Sequence, residues 1–321
     1  MMNGKEDTGL PLVSVGIHNW NRKEELRRTI AKVLESTYPS LEIMVVDNGS
    51  TDGSVEMVKS EFPDVKLYEL NRNIGIAARN TILFEASGKY ILIYDNDSMP
   101  ATSSTIGEIV SFLERHVDVA ALCTNIINYH TGKSETHGWE NYATANAGDY
   151  YEGLFIHGAG TAYRTECVQQ TRGFPEDFFL YLDEADLTLQ LANKGLKIVY
   201  KPDIVTYHRR SPVQRDNALG FLLKTRNGIW VFWKYFPFSL ALCLTLGYVF
   251  KQGVLTAERP AYVLSFFKGT YLGLRGTSTQ RKKGEPLSRE AINKTKRWRR
   301  QNLALPSAGR IMDFLKQQLS R

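Results

Sequence analysis

The chain has 321 residues, 43% hydrophobic and 23% charged, a balance that argues against a disordered or fibrous protein and allows more than one average domain around a sizeable core. Its three cysteines, Cys123, Cys167 and Cys243, lie far apart in no metal-like spacing, which argues against a disulfide framework or a zinc site. The net charge of +6 is local: between Arg275 and Arg300 ten Lys or Arg stand against two Glu, a segment of +8 that leaves the remainder at −2.

A strongly basic stretch attracts polyanions, and because its neighbour in the chain is apolar, an anionic lipid surface is a better partner than nucleic acid, for which no recognised motif accompanies the charge. The start, Met1 to Leu10, is polar and lacks the charged-then-apolar layout of a secretory signal. The expectation is a cytoplasmic protein, peripheral on the inner face of the plasma membrane.

In chain order, the first half alternates short apolar runs with amphipathic stretches, the pattern of parallel strands joined by helices. Val13–His18 reads as a strand, and Lys23–Ser36 as a helix with Leu26, Ile30, Val33 and Leu34 on one face. Glu42–Asp47 is a second strand, stopped by the turn-rich Asn48–Gly53; Val65–Leu70 is a third. A helix over Ile76–Ala86 leads to the strand Tyr90–Tyr94, cut short by Asp95-Asn96-Asp97. Ser103–Arg115 is helical and Val119–Thr124 a strand. From Asn125 to Gly158 the pattern is irregular, consistent with loops or a small hairpin over a site. Asp183–Asn193 is a helix ended by Gly195, and Lys197–Tyr200 a strand. Phe238–Phe250 is nearly all apolar but shorter than the roughly 20 residues that span a bilayer, and reads as an interfacial or core helix.

Ligands of open α/β sheets bind beyond the carboxyl ends of the strands. The polar residues there are His18-Asn19, Asp47-Asn48 and Asp95-Asn96-Asp97, which converge on one crevice if the first strand lies between the other two. Two carboxylates one residue apart can divide the holding of a nucleotide diphosphate, one meeting the ribose and the other a divalent cation; such a triplet also serves as a plain turn or helix cap. Asp47 can accept the N–H of a pyrimidine or start an Asx turn. Asp183-Glu184-Ala185-Asp186 crowds three carboxylates, which raises at least one pKa and suits a general base, although Asp186 fits complementing the helix dipole better. His208 follows Ile204–Tyr207; a single His is usually structural, but this one could complete a metal site.

In this order the motifs resemble glycosyltransferase family 2, the inverting family with the GT-A fold, over roughly Pro11–Pro237. The resemblance rests on Val13–Asn21, on Glu42–Gly53, on Asn71–Asn80, on Asp95-Asn-Asp97, on Gly158-Ala-Gly160 with Gly173-Phe174, and on Phe178–Leu187. It implies a Rossmann-like, mostly parallel sheet flanked by helices, with a catalytic domain over 1–236 (a nucleotide half near 11–124, an acceptor half near 125–236) and a helical, apolar-then-basic, membrane-associating extension over 237–321. It implies a nucleotide-sugar donor, UDP- or dTDP-linked, and a glycan or lipid-linked acceptor, joined by in-line displacement. His18, Asn19, Asp47, Asn73, Gly75, Arg79 and Asp95 fall on the nucleotide side. Asp97, with Asp95 and His208, falls on Mg2+ or Mn2+, and Gly158, Gly160 and Asp186 on the acceptor side. Glu184 is the leading base and Asp183 the second. The pair is reversed relative to the usual Glu-then-Asp order, and Gln190 stands where many members carry Arg. No Gln-X-X-Arg-Trp motif of processive synthases is present, and Arg226-Asn227 resembles rhamnosyltransferase-like members. Two rival readings are a catalytically silent nucleotide- or glycan-binding module and, ranked low for want of a Gly-rich phosphate loop, a nucleotidyltransferase.

Overall fold

The computed structural model describes residues 9–154, 156–210 and 217–303. The described residues fall into two compact units, one within Met1–Phe179 and Asp186–Pro212, the other within Leu180–Ala185 and Val213–Arg321.

The first unit is built on a sheet that is ten-stranded among the described residues. It begins with β1 (Val13–Asn19), helix α1 (Lys23–Leu34), β2 (Leu41–Asp47), α2 (Ser54–Glu61) and β3 (Lys66–Glu69). A 3-10 turn over Gly75–Ala78 runs into α3 (Arg79–Glu85), followed by β4 (Tyr90–Asp95) and the three-residue β5 (Ser98–Pro100). Then come α4 (Thr105–Arg115), β6 (Val119–Asn128), the small hairpin of β7 (Ala145–Asn146) and β8 (Tyr151–Glu152), β9 (Thr161–Arg164) and the one-turn α5 (Thr165–Val168). Last are α6 (Asp183–Asn193), whose first three residues group with the second unit, and β10 (Lys197–His208).

The sheet order is β3-β2-β1-β4-β9-β6-β10-β8-β7, with β5 paired to β10. β1, β2 and β4 are buried on both faces, so they read as continuous apolar runs rather than alternating ones. β1 lies parallel between β2 and β4, with Asn19 opposite Asp47 and His18 opposite Asp95. The parallel expectation holds across β3-β2-β1-β4 and between β6 and β10. β9, however, is inserted antiparallel between β4 and β6, so the sheet as a whole is mixed. One core cluster packs α1 and α4 against one face through Leu26, Ile30, Ile106 and Leu113; another packs α3 and α6 against the opposite face through Ile82, Leu83, Leu187 and Leu191.

β10 is three times the expected length. Pro202 cannot donate to a ladder, and it is accommodated where the register with β6 shifts between Lys201 and Val205. The strand therefore continues past the proline to His208.

In the second unit, α7 (Ala218–Tyr235), α8 (Phe238–Ala257), α9 (Val263–Lys283) and α10 (Arg289–Leu303) pack together. Asn217 caps α7 by accepting from the Gly220 N–H at 2.7 Å. Gly269 and Gly273 let α9 approach α7 closely: a Cβ at Gly269 would stand 2.7 Å from the Leu222 carbonyl, and one at Gly273 2.6 Å from Ile229. This places α7 with the helices after it, so the units divide near 212 rather than at the expected 236. α8 also runs to Ala257, past the apolar stretch ending at Phe250, and at 20 residues it is long and apolar enough to cross a membrane by length and composition. The expected extension reaches residue 321, but residues 304–321 lie outside the described residues, as do the first eight.

Candidate active site

At the carboxyl ends of β1, β2 and β4 the sequence expectation of convergence is met. Asn19 Nδ2 donates to Asp47 Oδ1 at 2.9 Å, and Asn96 Nδ2 donates to Asn19 Oδ1 at 2.9 Å. The other Asp47 oxygen accepts from the Ser50 N–H at 2.8 Å, three residues on rather than the two of an Asx turn, which closes the bend and occupies one oxygen of a carboxylate that is nearly fully buried. Asn48 reaches across to the segment after β3: its amide donates to Asn73 Oδ1 at 2.9 Å and to the Gly75 carbonyl at 3.0 Å, lies 3.1 Å from His18 Nε2, and accepts from the Ile74 N–H at 2.9 Å. Gly75 has φ +71° and a Cβ there would overlap the Phe179 carbonyl, which accepts from the Ile76 N–H at 2.7 Å.

Arg79 opens α3 fully buried, its guanidinium paired with Asp95 and 5.7 Å from the centre of the Phe174 ring. Gly158 explains how that charge fits. A Cβ at Gly158 would overlap the guanidinium, and one at Gly160 would come within 2.8 Å of both the Thr124 and Thr206 hydroxyls. Both glycines make room for neighbours behind the site. Burial lowers the pKa of His18 to about 4, with help from the Arg79 charge and against Asp95 and Asp47, so the imidazole is neutral at pH 7.

The antiparallel pairing of β5 with β10 sets Ser98 opposite His208, and this brings Asp97 and His208 together: Asp97 Oδ1 is 3.2 Å from His208 Nε2. The Asp97 carbonyl accepts from the Arg209 N–H at 2.7 Å, which fixes the turn. One ligand atom each from Asp95, Asp97 and His208 lies within 4.8 Å of the others. Two carboxylates and an imidazole converging from two strand ends fit a divalent cation that accepts oxygen and nitrogen ligands. Burial alone would push His208 down, but its hydrogen bonds to Asp97 and Glu135 raise it to about 9. Burial likewise opposes the Glu135 carboxylate, which the His208 bond and charge hold down at about 2.

Glu135 was not anticipated. It lies in the irregular stretch after β6, where no periodicity marks it.

Asp186 is fully buried and accepts from Gln190 Nε2 at 2.8 Å; that amide also donates to the Gly173 carbonyl, while Gln190 Oε1 accepts from the Arg172 N–H. Gln190 thus ties α6 to the Arg172-Gly173 turn. Asp186 is committed to the same tie, so its place is in the core of the first unit rather than on an open surface.

Within the second unit, Asp183 is buried and Glu184 half-buried at the start of α6. The chain enters this helix through left-handed residues, Phe179 (φ 65°), Tyr181 (φ 71°) and Leu182 (φ 61°), a conformation costing bulky residues about 1–3 kcal/mol each. Asn227 of α7 holds this path, donating to the Leu180 carbonyl at 2.9 Å and the Tyr181 carbonyl at 2.8 Å, while Lys224 Nζ sits 4.5 Å from the centre of the Tyr181 ring.

The parallel strands β3-β2-β1-β4, with antiparallel β9 beside them and acidic groups at the carboxyl rim, form a GT-A-type fold. Residues 14–172 match the family described as Glycosyl transferase family 2, and the chain belongs to that family. It is 25% identical over 205 residues to the UDP-Glc:alpha-D-GlcNAc-diphosphoundecaprenol beta-1,3-glucosyltransferase WfaP of Escherichia coli, covering 62% of this chain and 78% of WfaP. It is 31% identical over 112 residues to an uncharacterized glycosyltransferase of Haemophilus influenzae, covering 34% of this chain and 45% of that protein. The chain spans less than half the length of several of the curated relatives it matches. Among solved structures, the mannosyltransferase PcManGT of Pyrobaculum calidifontis, in complex with GDP-Man and Mn2+, is similar in fold with a TM-score of 0.55 at 20% identity, covering 98% of this chain and 81% of that one.

Proposed function

We propose that this chain transfers a sugar, with inversion, from a UDP- or dTDP-sugar to a hydroxyl of a glycan or lipid-linked acceptor in the assembly of a surface polysaccharide or glycolipid. The observation that carries the reading is the convergence of Asp95, Asp97 and His208 beside the Asn19–Asp47 and Asn48–Asn73 network. The rim carboxylate of Asp47 takes the base N–H, and the chain around Asn73, Gly75 and Arg79 borders the donor. Asp97, Asp95 and His208 would hold Mg2+ or Mn2+, which would supply charge compensation to a leaving diphosphate. Glu184 withdraws the acceptor proton. It is the better candidate of the acidic pair because it is half-buried where Asp183 is enclosed, and a base must reach its substrate. WfaP is named for a lipid-diphosphate-linked acceptor, which supports the acceptor class.

The location follows from the same reading. α8 exposes Phe238, Leu242, Leu246 and Phe250 at four-residue spacing, and α9 exposes Leu264, Phe267, Tyr271 and Leu274 before the basic Arg281-Lys282-Lys283. The other face of α8 packs on α7, with Trp233 Nε1 donating to Thr245 at 3.0 Å and the Tyr248 hydroxyl to the Lys224 carbonyl at 2.9 Å. These helices are read as lying along an anionic leaflet on its cytoplasmic side.

The test is release of free nucleotide diphosphate from a donor panel that includes UDP-glucose and dTDP-rhamnose, with Mn2+ or Mg2+. One donor is expected to turn over, and Asp97→Ala to lower that turnover about 1,000-fold, the scale of several kcal/mol of charge stabilisation. No binding or turnover of any donor, with Asp97→Ala indistinguishable from the parent, overturns the reading. Donor binding without turnover, unaffected by Glu184→Gln, favours the silent-module reading instead; Gln190 no longer motivates that reading, since its amide has a structural task.

A further inference from the structure

His208 faces a carboxylate on each ring nitrogen. Nε2 lies 3.2 Å from Asp97 Oδ1, while Nδ1 lies 2.9 Å from Glu135 Oε2. A neutral imidazole offers one lone pair and one N–H, so which nitrogen meets which carboxylate decides whether it can bind a cation beside Asp97.

The route by which Glu135 arrives is built into the sheet. β9 pairs with β6 only as far as Cys123, which leaves that edge of β6 open for its last residues. The chain turns back at Asn128: the Asn128 N–H donates to the Lys133 carbonyl at 2.9 Å, and Gly132 takes the left-handed conformation (φ 65°) that the reversal requires. Ser134 then bridges Ile127 and the Glu135 N–H donates to the Ile126 carbonyl at 2.7 Å, so the return segment continues along the edge that β9 gave up. Because β10 pairs with β6 such that His208 is opposite Asn128, Glu135 lands beside the imidazole. Its second oxygen is engaged as well, by Asn128 Nδ2 at 3.3 Å and by Arg210 at 3.8 Å. The carboxylate is thus aimed from its backbone, its own second oxygen and its partner ring.

We propose that Glu135 is the positioning carboxylate of the cation site, accepting the Nδ1–H of His208 and thereby presenting the Nε2 lone pair to the ion that Asp95 and Asp97 share. This rests on the cation reading above and adds a residue to it. A carboxylate behind a ligating histidine fixes its tautomer and ring orientation and raises its basicity, and losing one costs about 10–100-fold in metal affinity.

The experiment is Mn2+ titration of the full chain, followed by electron paramagnetic resonance of the free ion, for the parent, Glu135→Gln, Glu135→Asp and Asp97→Ala. It is joined by 15N NMR of His208 in the Mg2+-loaded parent. Glu135→Gln is expected to weaken Mn2+ binding about 10–100-fold, with Glu135→Asp intermediate. The Mn2+ concentration for half-maximal turnover should rise in parallel while turnover at saturating Mn2+ recovers most of its value. The NMR spectrum should show Nδ1 protonated and Nε2 without hydrogen. A glutamate that merely braced the loop would shift the melting temperature and leave the Mn2+ affinity unchanged. Unchanged affinity in Glu135→Gln alongside loss in Asp97→Ala overturns the role of Glu135 and leaves the cation site standing. Absence of Mn2+ binding in the parent, with and without UDP, overturns both. The spectrum of the parent decides even where a Glu135 variant fails to fold, because Nε2 carrying the hydrogen contradicts the proposal.

Discussion

The two compact units treat polarity in opposite ways. In the first, Asn19, Asp47, Asn48, Arg79, Asp97 and His208 are each at most 2% exposed, whereas in the second Leu246, Phe250, Leu264 and Phe267 are each at least 62% exposed. Burying a polar group costs about 1–3 kcal/mol unless it is bonded, and leaving a large apolar side chain in water forgoes about 1.5–3 kcal/mol. Scattered exposed apolar residues are ordinary, but here they recur along single helix faces. Stability alone favours neither pattern. Under the proposed function each would be accounted for by a partner: a charged ligand at the strand ends and a lipid surface on the helices.

That contrast can be broken most directly at the acidic pair, which sits where α6 passes from one unit to the other. Glu184→Gln is expected to lower turnover about 100- to 10,000-fold with donor binding intact, and Asp183→Asn to lower it less; initial rates with donor affinity measured separately check this. The reverse ranking makes Asp183 the base. Next in size is the apolar face. Replacing Leu246, Phe250, Leu264 and Phe267 together by Ser should reduce sedimentation with phosphatidylserine vesicles at least about 10-fold, from lost burial of apolar area, while turnover on a short water-soluble acceptor stays as in the parent. Unchanged sedimentation would leave the basic segment as the whole of the attraction.

A smaller effect is expected at Asn227. Its truncation to Ala leaves two carbonyls of the left-handed segment without their donor, at about 1–3 kcal/mol of stability, and should slow turnover about 10-fold without altering vesicle binding. Denaturant melts and rates on the same preparation separate the two effects.

The smallest is a pH effect. The folded-state pKa of His18, about 4, lies below the usual 6.5, so between these values the unfolded chain binds more protons and stability falls as pH drops through that window. In protein free of donor and cation, the loss between pH 7 and pH 4 that disappears in His18→Gln should be about 3 kcal/mol by urea unfolding. Equal slopes in both proteins would mean that His18 is not neutralised by burial.

Why some of this was legible in the residues and some was not has physical causes. β1, β2 and β4 are sandwiched between helical layers and so announce themselves as unbroken apolar runs, and the polar residues that end them share a rim once the strands pair in register. The acidic triplet and the helix from Asp183 were visible for similar local reasons. β5 was hidden because three residues ending in Pro100 carry no period, and the second half of β10 because a proline within a strand reads as its end. The burial of Arg79 was hidden because it depends on Gly158, 79 residues away, leaving space for it. Glu135 was hidden because a return turn after β6, rather than any periodic element, delivers it. Local pattern reveals the frame; groups set by long-range complementarity appear only when the chain is folded.

Asn227 spends its whole amide at once. The nitrogen gives one hydrogen to each of two successive carbonyls, and the oxygen receives the Arg226 Nε–H at 2.9 Å. Aspartate has nearly the same outline but no hydrogen to give when ionised, and it would turn a negative oxygen toward both carbonyls. Conversion of this one –NH2 to –O− is therefore a heavier lesion than deleting the side chain, and hydrolysis of this single amide is expected to let the approach to Asp183 and Glu184 relax.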